Sequence, residues 1–229
     1  MAPDRALLVI ADIGGYTDYM RLHRLGLAHA QANTARLLEA VIDAVPDLEL
    51  IEIEGDAAFL SSPRADESGA ADAATQAAAR MHRAFHTEQG KMVALNLCSC
   101  SGCVQAGQLR LKCVAHVGEV AEQTIRDRTK LVGVDVILVH RLLKNPVPIE
   151  EYVLLSDELH RTGDADLRER AVAVEQELEG LGRVQAFFLD LGDIGEPLPP
   201  PPRPSLPRRL GHTLGVMGKG MPYMLGLRH

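Results

Sequence analysis

Leu8-Val9-Ile10-Ala11-Asp12-Ile13-Gly14-Gly15-Tyr16-Thr17 opens on an unbroken apolar run, meets one carboxylate, and then turns on two glycines. A continuous run of this kind, from Arg5 to Ala11 with Val and Ile, reads as a strand buried on both faces. Asp12 ends that strand. Thr17 or Asp18 caps a following helix, whose strongest stretch sets Leu37, Leu38, Val41, Ile42 and Val45 on one stripe before Pro46.

Working outward, Leu48 to Glu54 alternates apolar and acidic residues as a strand does, Gly55-Asp56 signals a tight turn, and Ala57 to Leu60 returns as the partner strand. Ala70 to Phe85 is alanine-rich and helical, with a stop expected at Gly90. Leu109, Leu111, Cys113, Ala115 and Val117 alternate along a clear amphipathic strand. Leu131 to Val134 is short and apolar, and a helix follows through Leu142 and Leu143 to Asn145-Pro146. Tyr152 to Leu155 and Val184 to Leu191 supply the last strands, with a charged stretch between them, including Glu175 to Glu179, expected as a solvated helix. This order suits an α+β fold: a mixed or antiparallel sheet with helices on one face.

The chain has 229 residues, 46% apolar and 24% charged, which suits one globular domain with a tail. Residues 1–196 form the body, 197–207 a proline-rich linker, and 208–229 a basic, Gly- and Met-rich tail. After Glu196 there are five basic residues and no acid, so removing the tail from the total of −7 leaves the body at −12. That charge, with no Trp and few other aromatics, excludes a broad nucleic-acid-binding face. Leu7 to Ala11 is too short for a signal or a membrane span, and a cytoplasmic protein is expected. The tail is expected to be flexible, with the means to touch a partner or an anionic membrane surface.

Two groups of residues carry chemistry. Asp12 at a strand end and Asp56 on the neighbouring hairpin turn offer two carboxylates. Beside them, Gly14, Gly15, Tyr16 and Thr17 leave backbone N–H groups free at a helix start, an anion site. Few protein ligands beside a phosphate cradle are what Mg²⁺ or Mn²⁺ requires. The second group is Cys98, Cys100, Cys103 and Cys113, either a Zn²⁺ site of four thiolates, a redox switch, or three loop thiols and a core cysteine. His116 and His140 read as packed residues rather than ligands, and Lys144 and Asn145 as the end and cap of their helix.

The stretch from Leu8 to Thr17 resembles the first metal motif of the class III nucleotide (adenylate and guanylate) cyclases, Glu52-Ile53-Glu54-Gly55-Asp56 resembles their second, and Leu131-Val132-Gly133 with the helix from Val134 to Leu143 resembles their transition-state segment. The chain looks closer still to a bacterial cyclase-like family marked by Cys-x-Cys-x-x-Cys and by His-Arg-Leu-Leu-Lys-Asn, here His140 to Asn145. The resemblance implies a ferredoxin-like, nucleotide cyclase-like sheet in a homodimer. It also implies a nucleoside triphosphate held by two Mg²⁺ or Mn²⁺ ions on Asp12 and Asp56, with the Ile13 carbonyl helping. Arg141 would stabilise the transition state from the other subunit, Glu52 and Lys130 would read the base, and Arg183 would hold the triphosphate. Ile137 stands where that family carries a transition-state asparagine, and Leu181 where it carries a triphosphate-binding lysine. Two outcomes are therefore weighed: cyclisation to a 3′,5′-cyclic nucleotide, and a catalytically silent nucleotide- or metal-sensing module. A zinc-stabilised interaction module rests on the cysteines alone.

Overall fold

The computed structural model describes residues 4–22, 27–62, 69–95 and 105–207, together with Arg209 and Gly211. The apolar run at the start becomes β1 (Asp4–Gly14), and the glycine pair turns it into α1 (Tyr16–Leu22) and α2 (Leu27–Asp43). The hairpin of β2 (Glu49–Glu54) and β3 (Ala57–Ser62) follows, then the long α3 (Ala70–Leu95). Next come β4 (Arg110–Ile125), β5 (Arg128–Val132) and α4 (Val134–Leu142). The chain ends its folded part with β6 (Tyr152–Ser156), α5 (Asp157–His160), α6 (Ala165–Arg170), β7 (Val172–Leu178), β8 (Gly182–Asp190) and α7 (Leu191–Ile194).

The strands lie in the order β2-β3-β1-β4-β6-β8-β7, with β5 folded back on the outer half of β4. All neighbours are antiparallel except β4 and β6. The central place of β1 explains its composition, since Leu8, Val9, Ile10 and Ala11 are all buried, alternate residues facing opposite sides. On one side Val9, Ala11 and Leu111 meet α2 and α3 through Leu37, Val41, Ala74, Ala78, Met81 and Phe85. On the other, Leu8, Ile10, Val114 and Leu154 meet the shorter α4 through Val139 and Leu142. The two long helices thus share one face, as the sequence led us to expect, and α4 crosses the other.

Three elements depart from the sequence expectation, the first being α1, which already begins at Tyr16, so that Thr17 and Asp18 lie inside it and do not cap it. Helix α3 runs through Gly90 to Leu95, because the buried side chains of Gln89 and Met92 hold its last turns to the body. That anchoring outweighs the roughly 1 kcal/mol that a mid-helix glycine costs. The acidic stretch lies mostly in β7, not on a helix: Glu175 and Glu177 pair across to β8, and Val174 and Leu178 turn towards the core. Charges on such an edge strand disfavour pairing with another chain.

Helix α4 is locked to β4 at its first turn. Asp135 Oδ2 accepts the Glu119 N–H at 2.6 Å, and Asp135 Oδ1 lies 3.1 Å from Nε2 of the buried His116. A Cβ at Gly118 would stand 2.3 Å from the Asp135 carboxylate. Gly118→Ala should therefore cost about 1–3 kcal/mol, the range for overpacking a tight contact, in a denaturant titration. A loss below about 0.5 kcal/mol, the scale of an unremarkable surface change, would show that Asp135 is not clamped as described.

Candidate functional site

Asp12 is the first charge after the buried run Ala6–Ala11 of β1, between Ala57 of β3 and Lys112 of β4 in the sheet register. Gly55, with φ of +67°, allows the tight turn that returns the chain into β3. The Ile13 N–H then donates to the Asp56 carbonyl at 3.2 Å, which fixes the hairpin turn beside Asp12. The two carboxylates are close enough to feel each other. Burial, then the charge of Asp12, push the Asp56 carboxyl up to about 6. Tyr16 is raised in turn, by burial and then by Asp56, so the start of α1 borders the same site.

Lys112 is the residue that the sequence did not point to. Its Nζ lies 3.0 Å from Asp12 Oδ2 and 3.5 Å from the Leu143 carbonyl at the end of α4. Burial works against its charge, yet the Asp12 carboxylate overrides this and raises the Lys112 pKa. The site is thus two carboxylates with one built-in cation, and a net negative charge remains for a ligand to neutralise. Lys112 lies on the opposite phase of β4 from Leu111 and Cys113, and its role comes only from the cross-strand pairing with Asp12.

The surrounding residues are tied to this centre. Tyr152 donates its hydroxyl to Asn145 Oδ1 at 3.0 Å, and Asn145 Nδ2 donates to the Leu142 carbonyl, capping α4. His140 Nδ1 contacts the Val136 carbonyl at 2.8 Å, its Nε2 lies 3.3 Å from Glu54, and its ring meets Phe59 edge-on. The histidine therefore joins α4 to the hairpin that carries Asp56. His116, held between Ser156 at 2.7 Å and Asp135, is a packed core residue. Ser156 is itself buried and caps α5, so this Ser-His-Asp chain offers no accessible nucleophile.

Other expected site residues lie apart. Arg141 leans on the β7–β8 turn, its Nη1 3.4 Å from where a Cβ at Gly180 would stand, and it makes no ion pair among the described residues. Arg183 is at the far end of β8 from Asp190, which pairs with Tyr152. Glu52 and Lys130 are both exposed, and no ion pair among the described residues joins them. Ile137 is 49% exposed on α4. Gly14 ends β1, and Gly15, at φ of +82°, turns the chain so that Tyr16 and Thr17 open α1. Cys113 is fully buried, and burial followed by Asp12 pushes its thiol well above the usual range, which opposes a thiolate there. Cys98, Cys100 and Cys103 lie outside the described residues, as does nearly all of the tail. Residues 197–205 are mostly exposed and have no helix or strand, and no helix among the described residues is long and apolar enough to cross a membrane.

The architecture, an α+β fold with an open, mostly antiparallel sheet, resembles that of nucleotide cyclase catalytic domains. Adenylyl cyclase CyaB from P. aeruginosa superposes with a TM-score of 0.62 at 14% identity, over 82% of this chain and 94% of that one. The guanylyl cyclase Cya2 gives 0.61 at 17%, over 82% and 93%. The guanylate cyclase domain of RhGC from Catenaria anguillulae in complex with GTP gives 0.54 at 15%, over 82% and 97%. The chain itself belongs to the family described as Protein of unknown function (DUF2652), whose pattern matches residues 34–152. It is 37% identical over 195 residues to the uncharacterized protein Rv2561/Rv2562 of Mycobacterium tuberculosis, covering 85% of this chain and 90% of that one.

Proposed function

We propose that this protein binds a nucleoside triphosphate with Mg²⁺ or Mn²⁺ at Asp12 and Asp56, in a site completed by a second copy of the chain, and cyclises it. The observation that carries this reading is the pair of carboxylates brought together by β1 and the Gly55 turn, close enough that Asp12 raises Asp56. Hard oxygen ligands of this kind suit Mg²⁺ or Mn²⁺, with phosphate oxygens filling the remaining positions. A bound divalent ion would lower the pKa of a ribose 3′-hydroxyl and neutralise charge at the α-phosphate.

Asp12, Asp56 and the Ile13 carbonyl would hold the ions, and Lys112, already hydrogen-bonded towards Leu143, would turn from Asp12 to the phosphates. Gly14, Gly15, Tyr16 and Thr17 border the position of a phosphate. Arg141, which makes no ion pair among the described residues, would face the reacting phosphorus of the partner's site, and Arg183 the triphosphate. Glu52 and Lys130 would meet the base. In the reaction the ribose 3′-oxygen forms a bond to the α-phosphorus and pyrophosphate leaves.

The homodimer is supported by the face that carries α4. Val134 and Ile137 on α4 are exposed apolar side chains, and Ile51, Leu138, Leu181 and Phe188 are only partly covered. A second copy would remove that surface from water.

The second reading, a silent triphosphate- or metal-sensing module, is favoured by Ile137 and Leu181, neither of which can donate a hydrogen bond. Losing one such donor at a reacting centre costs about 3 kcal/mol of barrier, so turnover is expected to be slow rather than absent. Incubation with each of the four triphosphates and Mg²⁺ or Mn²⁺ should give cyclic product by mass spectrometry. Metal-dependent binding with no cyclic product from any of the four would leave the silent module.

A further inference from the structure

On the face of the sheet opposite Asp12, α3 carries His82 and His86 at i and i+4, so both imidazoles share one side of the helix. Glu151, the residue before β6, reaches them from the sheet. Its Oε1 lies 2.7 Å from His86 Nε2 and its Oε2 3.4 Å from His82 Nε2. The three donor atoms lie within 4.8 Å of one another.

The hydrogen bonds around the cluster show what it needs. Gln89 donates its amide to the Ala106 and Leu109 carbonyls, both at 2.8 Å, so its Oε1 must face His86 Nδ1, 3.0 Å away. An amide oxygen only accepts, so the His86 proton sits on Nδ1. The Nε2 lone pair of the neutral ring then points at a carboxylate oxygen at 2.7 Å. Two lone pairs do not approach so closely unless a second proton or a metal ion lies between them. His82 is 5% exposed, and among the described residues its Nε2 has no hydrogen-bond partner although it points at the same carboxylate.

We propose that His82, His86 and Glu151 bind a zinc-class divalent ion (Zn²⁺, or Co²⁺ in its place) through His82 Nε2, His86 Nε2 and a Glu151 oxygen. Two imidazoles and one carboxylate are the donor set of a three-ligand zinc centre that keeps a fourth position for water. Imidazole ligation selects zinc-class metals over Mg²⁺, so this site and the Asp12–Asp56 pair take different ions. Gln89 fixes the tautomer of His86 from behind, as an outer partner of a metal-bound histidine does. The ion clamps α3 to the start of β6 and, through the Leu111 N–H bonded to Glu151 at 3.1 Å, to β4. Lys112 and Tyr152, the next residues along those strands, face the Asp12 side, so the clamp stiffens the floor of that site.

The test is a cobalt titration of the full, chelator-stripped protein. A tetrahedral Co²⁺ centre absorbs strongly in the visible, an octahedral one weakly, and thiolate ligation adds a near-ultraviolet charge-transfer band. The wild type is expected to bind about one Co²⁺ with the strong visible bands and no thiolate band. Excess Mg²⁺ should not displace it. Glu151→Gln and His86→Gln should lose the bands, and Gln89→Ala should weaken binding about 10- to 100-fold, the usual cost of removing an outer partner. Asp56→Asn and a Cys98/Cys100/Cys103→Ser protein should keep the bands unchanged. No strong visible band in folded wild type, or a band lost with the cysteines and retained in Glu151→Gln, overturns the proposal. The wild-type spectrum decides even if a ligand variant fails to fold.

Discussion

Asp56→Asn should make the metal-free protein more stable at neutral pH while removing its response to metal and triphosphate. The Asp56 carboxyl is raised from its ordinary value of 3.8 to about 6 by burial and by Asp12. Between those values the folded chain holds a proton that the unfolded chain releases. The contribution of Asp56 is therefore fully present below about pH 4, falls as pH rises through about 6, and is constant above. Full conversion of such a shift approaches 3 kcal/mol, but Asp56 is only half-buried, and screening reduces the expected gain to about 1–2 kcal/mol. The melting temperature of Asp56→Asn should exceed that of the wild type by about 2–6 °C at pH 7, and the two should converge near pH 4. Added Mn²⁺ with a triphosphate should raise the wild type alone, because a ligand stabilises only the folded state that binds it. A variant that still responds to metal and triphosphate as the wild type does would remove Asp56 from the site.

Mixing an Asp56→Ala chain with an Arg141→Ala chain should restore activity that neither shows alone. Within one chain Arg141 lies against the β7–β8 turn, and Arg183 is at the far end of β8, while Asp12 and Asp56 sit where β1 meets the β2–β3 turn. An isologous dimer makes two equivalent composite sites, each with carboxylates from one copy and the arginine from the other. The mixed dimer keeps one intact site of two, and half the chains pair as mixed dimers at random. About a quarter of wild-type turnover should return, against a loss of about 10²–10³ or more in each homodimer. Wild-type turnover with inactive mixed dimers would contradict the shared geometry.

Much of this architecture was legible in the order of residues because the deciding signals are local. The apolar run of β1, the Gly14-Gly15 turn, the Gly55-Asp56 hairpin and the alternation of β4 each depend on neighbours a few positions away. The misreadings came where distant contacts decide. Gly90 reads as a stop until Gln89 and Met92 are seen buried, and Glu175 to Glu179 reads as a helix until β8 is seen pairing beside it. Lys112 gains its meaning only from the register that sets it opposite Asp12. The same is true of His82 and His86, ordinary helix residues until Glu151, far along the chain, reaches them. The histidines that draw the eye in sequence, His116 and His140, prove to be packing and hairpin contacts.

The central claim is metal-dependent triphosphate binding at Asp12 and Asp56, and calorimetric titration tests it most directly. Wild-type protein is titrated with ATP and with GTP, first in chelator and then in excess Mg²⁺ or Mn²⁺, and the series is repeated on Asp12→Asn. The account predicts heat of binding for at least one triphosphate only when the metal is present, and none in Asp12→Asn. Binding of equal affinity with and without metal, or binding unchanged in Asp12→Asn, would contradict it.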